Sequence, residues 1–388
     1  MDFDVVIVGG GLAGLALAVA LRDSRLSVAL VEGRVPIVPD GWDSRIYAIS
    51  PANARFLDSI GIWRHMNVDR MVAVQAMEIH GGAADGRGRL DFSAYDSGVS
   101  KLAWIVEQSL MQRELWESAK RQGNLELVCP AHPAKLEMTE SHRSVTLADG
   151  RRLTTQLIVA ADGADSWTRA AAGIDITFKP YGQLGVVANF FTEKPHRGTA
   201  FQWFRDDGIL AWLPLPGNQI SMVWSTLKAN ADELLSLEAE DLARRVEAAG
   251  SGRLGKLDLM TPAAGFPLRL MRAPKMVLQR FALIGDAAHA IHPLSGHGIN
   301  LGFQDAATLA GVLKDKPDHI DAGDLSLLRA YERARKEEIM ALQGVTDGLQ
   351  QLFGSTAASL TALRSFGLNL TNQLPVVKDA LVRYALAS

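Results

Sequence analysis

The sequence predicts an α/β fold in which a Rossmann-like domain is interrupted by an antiparallel-sheet domain and followed by a helical C-terminal tail. Three observations carry this. Gly9, Gly11 and Gly14 lie between a short apolar run and a helical one. A second strand-turn-helix signal, Phe281-Ala-Leu-Ile-Gly-Asp286, stands far downstream. Between the two, long alternating runs separated by turn residues replace the buried-strand pattern.

The bulk properties bound the answer. A chain of 388 residues suggests two or three domains. Apolar residues make up 48% and charged residues 21%, enough for a sizeable core. A formal net charge of −3 gives no footprint for nucleic acid. The single cysteine, Cys129, excludes an internal disulfide, fits a reducing compartment and reads as a buried, inert thiol. The uncharged stretch between Asp4 and Arg22 resembles a signal or membrane segment. It opens without basic residues, however, and glycines interrupt it where a phosphate loop needs them. No other stretch is long and uncharged enough to span a bilayer. The expectation is a cytoplasmic chain, at most peripheral to the inner membrane.

In order along the chain, Val5–Val8 is a continuous apolar run, as expected of a parallel strand buried on both faces. Leu12–Arg22 reads as a helix, and Ser27-Val-Ala-Leu-Val-Glu32 as a second strand ending in an acid, completing a βαβ unit. Ser50–Ile60 reads as a helix broken at Gly61-Ile-Trp63, and Val106–Gln122 as another, with Gln108 and Gln112 one turn apart. Leu157–Ala161 is a buried strand ending in Asp162-Gly163. Gly185–Phe191, Thr199–Phe204 and Ile220–Ser225 suggest an antiparallel sheet, and Ala231–Ala249 a polar-faced helix. From Leu325 the chain is helical: Ile339, Leu342, Val345, Leu349 and Leu352 recur at helical spacing, as do Leu360, Leu363, Phe366 and Leu370. The expected domains are 1–72, 95–178 and 273–335 for the nucleotide fold, 73–94 and 179–272 for the sheet, and 336–388 for the helical end.

The glycine fingerprint allows a tight turn and close backbone approach. The helix it opens, beginning Leu12-Ala13-Gly14, offers free N–H groups and a partial positive charge to a pyrophosphate. Glu32 can accept both hydroxyls of a ribose and would repel a 2′-phosphate. Ile284-Gly285-Asp286-Ala287 repeats the logic. Gly285 permits the turn, and Asp286 either accepts from a ribityl hydroxyl or caps the turn. Gly296-His-Gly298-Ile299-Asn300 then opens a helix whose N–H groups face the pyrimidine end of a flavin. Gripping of one dinucleotide at both ends by distant motifs points to FAD rather than to a resident nicotinamide. Asp162-Gly-Ala-Asp165-Ser166 with Arg169 is a third turn, for which capping is an equal alternative. His289, His292 and His297 alternate with the loop glycines and lack a carboxylate or cysteine cluster, so no metal site is expected. There is no Ser-His-Asp or Cys-His arrangement.

Gly9-Gly11-Gly14, Asp162-Gly163 with Arg169, and Gly285-Asp286 through Gly302 resemble the three signatures of class A FAD-dependent aromatic monooxygenases. Arg45-Ile-Tyr-Ala-Ile-Ser50, Ala211-Trp-Leu-Pro-Leu215, Val223-Trp-Ser225 and the tail from Thr346-Asp-Gly to Leu374-Pro375 are similar to the ubiquinone-biosynthesis hydroxylase branch. The resemblance spans nearly the whole chain and implies a para-hydroxybenzoate-hydroxylase-like fold. It also implies a reaction in which NAD(P)H reduces FAD, O₂ adds, and a flavin hydroperoxide hydroxylates the ring of a polyprenylated phenol. Carried over by residue, Gly9, Gly11, Leu12, Ala13, Gly14, Glu32, Arg45, Gln112, Asp162, Asp165, Gly285, Asp286, Ala287, Gly296, Gly298, Ile299 and Asn300 would bind FAD. Arg45, Pro293 and His297 would border the reacting ring, Pro293 on the substrate side. Two positions depart from the family pattern: His297 stands where Gln is usual, and Gln304 where many relatives carry a basic residue. A histidine at 297 either titrates near neutral pH or fills space as a donor.

Alternatives remain at this level: an FAD-dependent reductase of an isoprenoid chain, or a flavin-bearing scaffold of a biosynthetic complex. The aromatic residues of the sheet (Phe190, Phe191, Phe201, Trp203, Phe204, Trp212, Trp224) either face the substrate or, for most of them, pack between sheet and helices. The helical tail reads as core or as an assembly surface, for a second copy or for other ubiquinone-biosynthesis proteins, more than as a membrane contact, since its apolar stripes carry few basic residues.

Overall fold

A computed structural model describes residues 1–37, 39–81, 88–139, 142–290 and 298–354. The first half of the chain contributes β1 (Phe3–Val8), α1 (Leu12–Ala20), β2 (Val28–Val31), β3 (Ile46–Ile49), α2 (Pro51–Ser59), β4 (Val72–Val74), β5 (Ala76–His80), β6 (Arg89–Ser93), β7 (Ala103–Glu107), α3 (Gln108–Lys120), β8 (Leu125–Val128), β9 (Pro133–Met138), β10 (Arg143–Leu147), β11 (Arg152–Ala160) and α4 (Trp167–Ala171). Then come β12 (Thr177–Thr192), β13 (Thr199–Arg205), β14 (Gly208–Leu215), β15 (Gln219–Leu227), α5 (Lys228–Ser236), α6 (Ala239–Ala249), β16 (Leu257–Leu259), β17 (Ala264–Arg272), β18 (Val277–Leu278), β19 (Phe281–Leu283), β20 (His289–Ala290), α7 (Gly298–Lys314) and α8 (Leu325–Gly354).

The nucleotide fold is built on a sheet of order β18-β19-β11-β1-β2-β8. Strands β19, β11, β1, β2 and β8 run parallel. Such strands are covered on both faces, which is why Val5, Val6 and Ile7 carry no polar alternation and are fully buried. Helix α1 is apolar on all sides because α3 packs on one flank and α7 on another. The nine-stranded sheet, order β20-β17-β12-β15-β14-β13-β5-β6 with β16 paired to β12, is antiparallel except where β13 meets β5. A small third sheet, β3-β7-β4, lies between the two larger ones in sequence and contacts both halves: β7 meets α3, and β4 and β7 meet β14.

The two faces of the nine-stranded sheet have different fates. Phe190, Phe201, Trp203, Trp212 and Trp224 pack with Leu234, Leu242 and Val246 of α5 and α6. Those five rings are therefore core, and of the seven expected aromatics Phe191 is the one classed as exposed. On the opposite face, Ala200 and Leu215 join Val74, Ile105, Ile46 and Ala48 of the small sheet. That face is turned toward the nucleotide fold, and Asn189 on it donates from Nδ2 to the Asp43 carbonyl at 3.0 Å.

Two helices differ from expectation. Val106 and Glu107 end β7 instead of opening α3, because Glu107 pairs with Ile46 and its buried carboxylate accepts from Arg70 Nε at 2.7 Å and from the Asp43 amide at 2.8 Å. The helix expected over 231–249 is two helices, broken at Leu237, whose backbone is extended. The first packs on β12, β15 and β17 and the second on β16, so one straight rod could not serve both. The tail residues Leu360, Leu363, Phe366 and Leu370 lie outside the described residues.

Candidate active site

The first turn of α1 is a site for an anion by construction. Gly9 has φ of 111°, and a Cβ there would sit 2.4 Å from the Ala161 carbonyl oxygen at the end of β11. A Cβ on Gly14 would sit 2.0 Å from the Gly9 carbonyl oxygen. Gly11, by contrast, has nothing within 4 Å of its would-be Cβ and is an N-cap without any side-chain bond to the helix. The amides that open α1, at Leu12 and Ala13, thus have no side-chain cap, and the way to them is free of a Cβ.

Glu32 ends β2 beside this turn. Its Oε2 accepts from the Gly10 amide at 2.6 Å and its Oε1 from the Arg34 amide at 3.1 Å. Gln112, on α3, donates from Nε2 to the Gly10 carbonyl at 3.0 Å. The Gly10 peptide is therefore fixed from both sides, and Glu32 keeps accepting capacity for a ribose. Cys129 lies close by and is half-buried, not fully buried as expected; burial first, then the charge of Glu32, pushes its thiol above the ordinary value, which suits an inert residue.

Asp162 is spent on its own turn. It accepts from the Ser166 hydroxyl and, at 2.9 Å, from the Thr168 amide, while Ser166 Oγ caps the Arg169 amide at 2.9 Å. Asp165 is exposed, with its charge felt at Arg169. Arg169 is the connector: its Nη1 donates to the Ala287 carbonyl at 2.9 Å and its Nη2 to the Ala164 carbonyl at 3.0 Å. Burial holds this guanidinium below its usual value, with Asp162 and Asp165 opposing. The third motif thereby props the second.

Residues Gly285–Ala287 form a 3₁₀ turn with Gly285 at φ of 58°. A Cβ on Gly285 would meet Ala13 Cβ at 3.1 Å, and one on Gly302 would meet both Ala13 Cβ and Gly285 Cα at 3.4 Å. The Gly-Asp turn is thus seated on the first turn of α1, and the two distant motifs border one site. Asp286 is accessible by area yet deeply surrounded. Burial raises its carboxyl above the ordinary range; His289 works against this and Asp305 adds to it.

Sequence reasoning missed two groups here. Asp305, fully buried on α7, accepts from the Gly285 amide at 2.9 Å and from His289 Nε2 at 2.6 Å through Oδ2, and from Arg335 Nε at 2.8 Å through Oδ1. The spacing Gly298, Gly302, Asp305 on one helix face was a usable signal. Tyr47 donates to Gln108 Oε1 at 3.2 Å, and its phenol is pushed up to about 12 by burial and then by Asp286, with Arg45 opposing. It keeps its proton across the physiological range.

Arg45 itself is exposed, anchored through its backbone to Asp43 Oδ1 and the Gln108 amide. Gly298 and Ile299 begin α7. The Asn300 side chain accepts from the Ser50 amide and Asn53 Nδ2, both at 3.0 Å, and donates to the Ala48 carbonyl at 2.8 Å, so it ties α7 to the strand that carries Tyr47. Pro293, Gly296 and His297 lie outside the described residues. Among the described residues no group of three His, Cys, Asp or Glu is placed to hold a metal, and His289 is engaged with Asp305.

An uncapped helix start open at Gly11, a carboxylate beside it and a second accessible carboxylate on a turn packed against that helix fit a dinucleotide with a flavin at one end. Fold and site together define a flavoprotein oxidoreductase. Residues 2–344 match the FAD binding domain family. Ubiquinone hydroxylase UbiL of Rhodospirillum rubrum is 32% identical over 388 residues, covering 99% of this chain and 90% of that protein. The 3-demethoxyubiquinol 3-hydroxylase of Escherichia coli is 30% identical, covering 99% and 98%. Among solved structures, the p-nitrophenol 4-monooxygenase PnpA of Pseudomonas putida superposes with a TM-score of 0.80 at 17% identity, covering 99% of this chain and 98% of that one. The chain belongs to the FAD-binding family of class A monooxygenases, in its ubiquinone-biosynthesis hydroxylase branch, and FAD is its cofactor.

Proposed function

We propose that this protein hydroxylates the aromatic ring of a polyprenylated phenol on the route to ubiquinone, consuming NAD(P)H and O₂. The observation that carries the reading is the seating of the Gly285-Asp286 turn on the first turn of α1, supported by near full-length similarity to ubiquinone hydroxylase UbiL and to a 3-demethoxyubiquinol 3-hydroxylase. FAD, reduced by NAD(P)H, supplies the oxygen-activating chemistry. The chain's own residues bind and orient. The α1 amides hold the diphosphate, Glu32 the adenosine ribose, and Asp286 the ribityl hydroxyls. Arg45 and Tyr47 flank the ring system, with Asn300 fixing their strand. Gly298 and Ile299 present the α7 N-terminus to the pyrimidine end, with Pro293 and His297 on the substrate side. In this reading Asp162 and Gln112 act by shaping the loops, and Asp165 by steering the dinucleotide.

The division into 1–72, 95–178 and 273–335 for FAD, 73–94 and 179–272 for substrate, and 336–388 as a helical end is part of the proposal. Among the described residues no helix is long and apolar enough to cross a membrane; contact with a membrane surface, with partner proteins or with a second copy belongs to the proposal as well. The test is quinone profiling by mass spectrometry in cells lacking the protein, paired with turnover of the accumulated precursor by the purified holoenzyme. A product heavier by one oxygen supports hydroxylation. A product heavier by two hydrogens replaces it with a reductase.

A further inference from the structure

Asp305 is a buried carboxylate with three donors, one from each of three elements: the Gly285 amide of the flavin turn, His289 of β20, and Arg335 of α8. It does not face solvent, and burial alone would raise its carboxyl; His289 and Arg335 outweigh that and hold it below the ordinary value. Arg335 is 3% exposed, is held from the next turn by Glu338, and keeps Nη2 buried with no partner among the described residues. The same helix donates the Tyr331 hydroxyl to the Leu283 carbonyl at 2.8 Å, two residues before the turn, and Glu332 accepts from the Met276 amide at 2.7 Å. So α8, far along the chain from the glycine fingerprint, holds the residue that precedes β18, the end of β19 and, through Asp305, the turn that follows it. A carboxylate that orients an amide is itself oriented by a cation, the arrangement used to hold a ligand-bearing loop from behind.

We propose that Arg335 is a positioning residue for the flavin: acting through Asp305, it fixes the Gly285 amide and so sets where Asp286 presents its carboxylate to FAD. A helix outside the loops that meet the cofactor thereby governs how tightly and in what pose the cofactor is held. Charge matters as well as geometry. With Arg335 present, the negative charge of Asp305 is matched inside the protein. Without it, only His289 offsets that charge, and Asp305 bears more strongly on Asp286, whose ionised form the flavin contact requires.

The test uses the full chain, stripped of flavin and titrated with FAD by fluorescence quenching, with melting of the apo form and visible circular dichroism of the bound form on the same samples. Arg335→Met is expected to bind FAD about tenfold more weakly, with an altered flavin dichroism band, and Arg335→Lys to restore most of both. In an Asp286→Asn background, Arg335→Met is expected to weaken binding by less than about threefold, because no carboxylate remains to be placed. Glu338→Gln leaves the buried Arg335–Asp305 pair intact and is expected to shift affinity in the same direction by less; it decides the matter if Arg335→Met does not fold. An Arg335→Met protein that melts lower yet binds FAD with unchanged affinity and dichroism overturns the proposal, as does a full, additive loss on Asp286→Asn, or an unaltered Glu338→Gln should the Met variant fail to fold. Failure of the unsubstituted protein to take up FAD would instead sink the cofactor assignment.

Discussion

Replacing Asp286 by Ala separates the grip on FAD from the stability of the fold. The carboxylate is accessible, sits on a turn packed against the α1 N-terminus, and is offered as the acceptor for the ribityl hydroxyls. A hydrogen bond to a charged group is worth about 1.5–3 kcal/mol, and each 1.4 kcal/mol is tenfold, so the dissociation constant of FAD should rise roughly 10- to 150-fold. The effect on the empty protein has the opposite sign. Burial and Asp305 raise the folded-state pKa of Asp286 above its unfolded value. Its contribution to stability is then complete below the unfolded value and is lost as pH rises through the folded one. The Ala variant, lacking that group, should melt no lower than the parent in its flavin-free form at neutral pH, with a flatter dependence on pH. Fluorescence titration with FAD and thermal melting across pH measure both. An unchanged affinity for FAD would refute the assignment, and a steep loss of apo stability would show that Asp286 serves the fold.

Four further outcomes follow from the geometry already given. Gly11→Ala meets no atom and should melt like the parent while binding FAD more weakly. Gly14→Ala drives a methyl into the Gly9 carbonyl and should cost about 1–3 kcal/mol of stability as well, read from denaturant midpoints. Tyr47→Phe removes one hydrogen bond, about 0.5–1.5 kcal/mol, and should leave the pH–rate profile unmoved below about pH 10 because the phenol stays protonated; a displaced profile would show that it titrates. Asp162→Ala removes the bonds that hold the start of α4, so melting should fall by the equivalent of about 1 kcal/mol while FAD affinity falls far less than in Asp286→Ala.

The parts of the molecule legible in the sequence are those fixed by short-range necessity. Val5–Val8 and Leu12–Ala20 announce a buried βαβ unit because nothing polar can be tolerated on either face, and Gly9 and Gly14 stand where a Cβ would strike backbone. Gly285-Asp286 is legible for the same reason. What the sequence concealed depends on chain segments that meet only in three dimensions. Asp305 looks like an ordinary helical acid until Gly285, His289 and Arg335 converge on it. Tyr47 looks like a strand aromatic until α3 and the Asp286 turn close around it. Glu107 reads as helical by pattern, but Arg70 and the Asp43 amide hold it at the end of a strand. The break at Leu237 is set by the different strands beneath α5 and α6, which no local period records.

Strand β11 acquires its outer parallel neighbour only when Phe281–Leu283 arrives, after β12–β17, most of the nine-stranded sheet, have intervened. During synthesis the nascent chain must therefore carry an unfinished parallel edge past more than a hundred residues of separately folding β structure. Such an edge is open to pairing with other chains. Helix α8, which reaches the flavin turn through Asp305, is delivered later still, so a polypeptide released before it would lack the Arg335 contact that backs that turn.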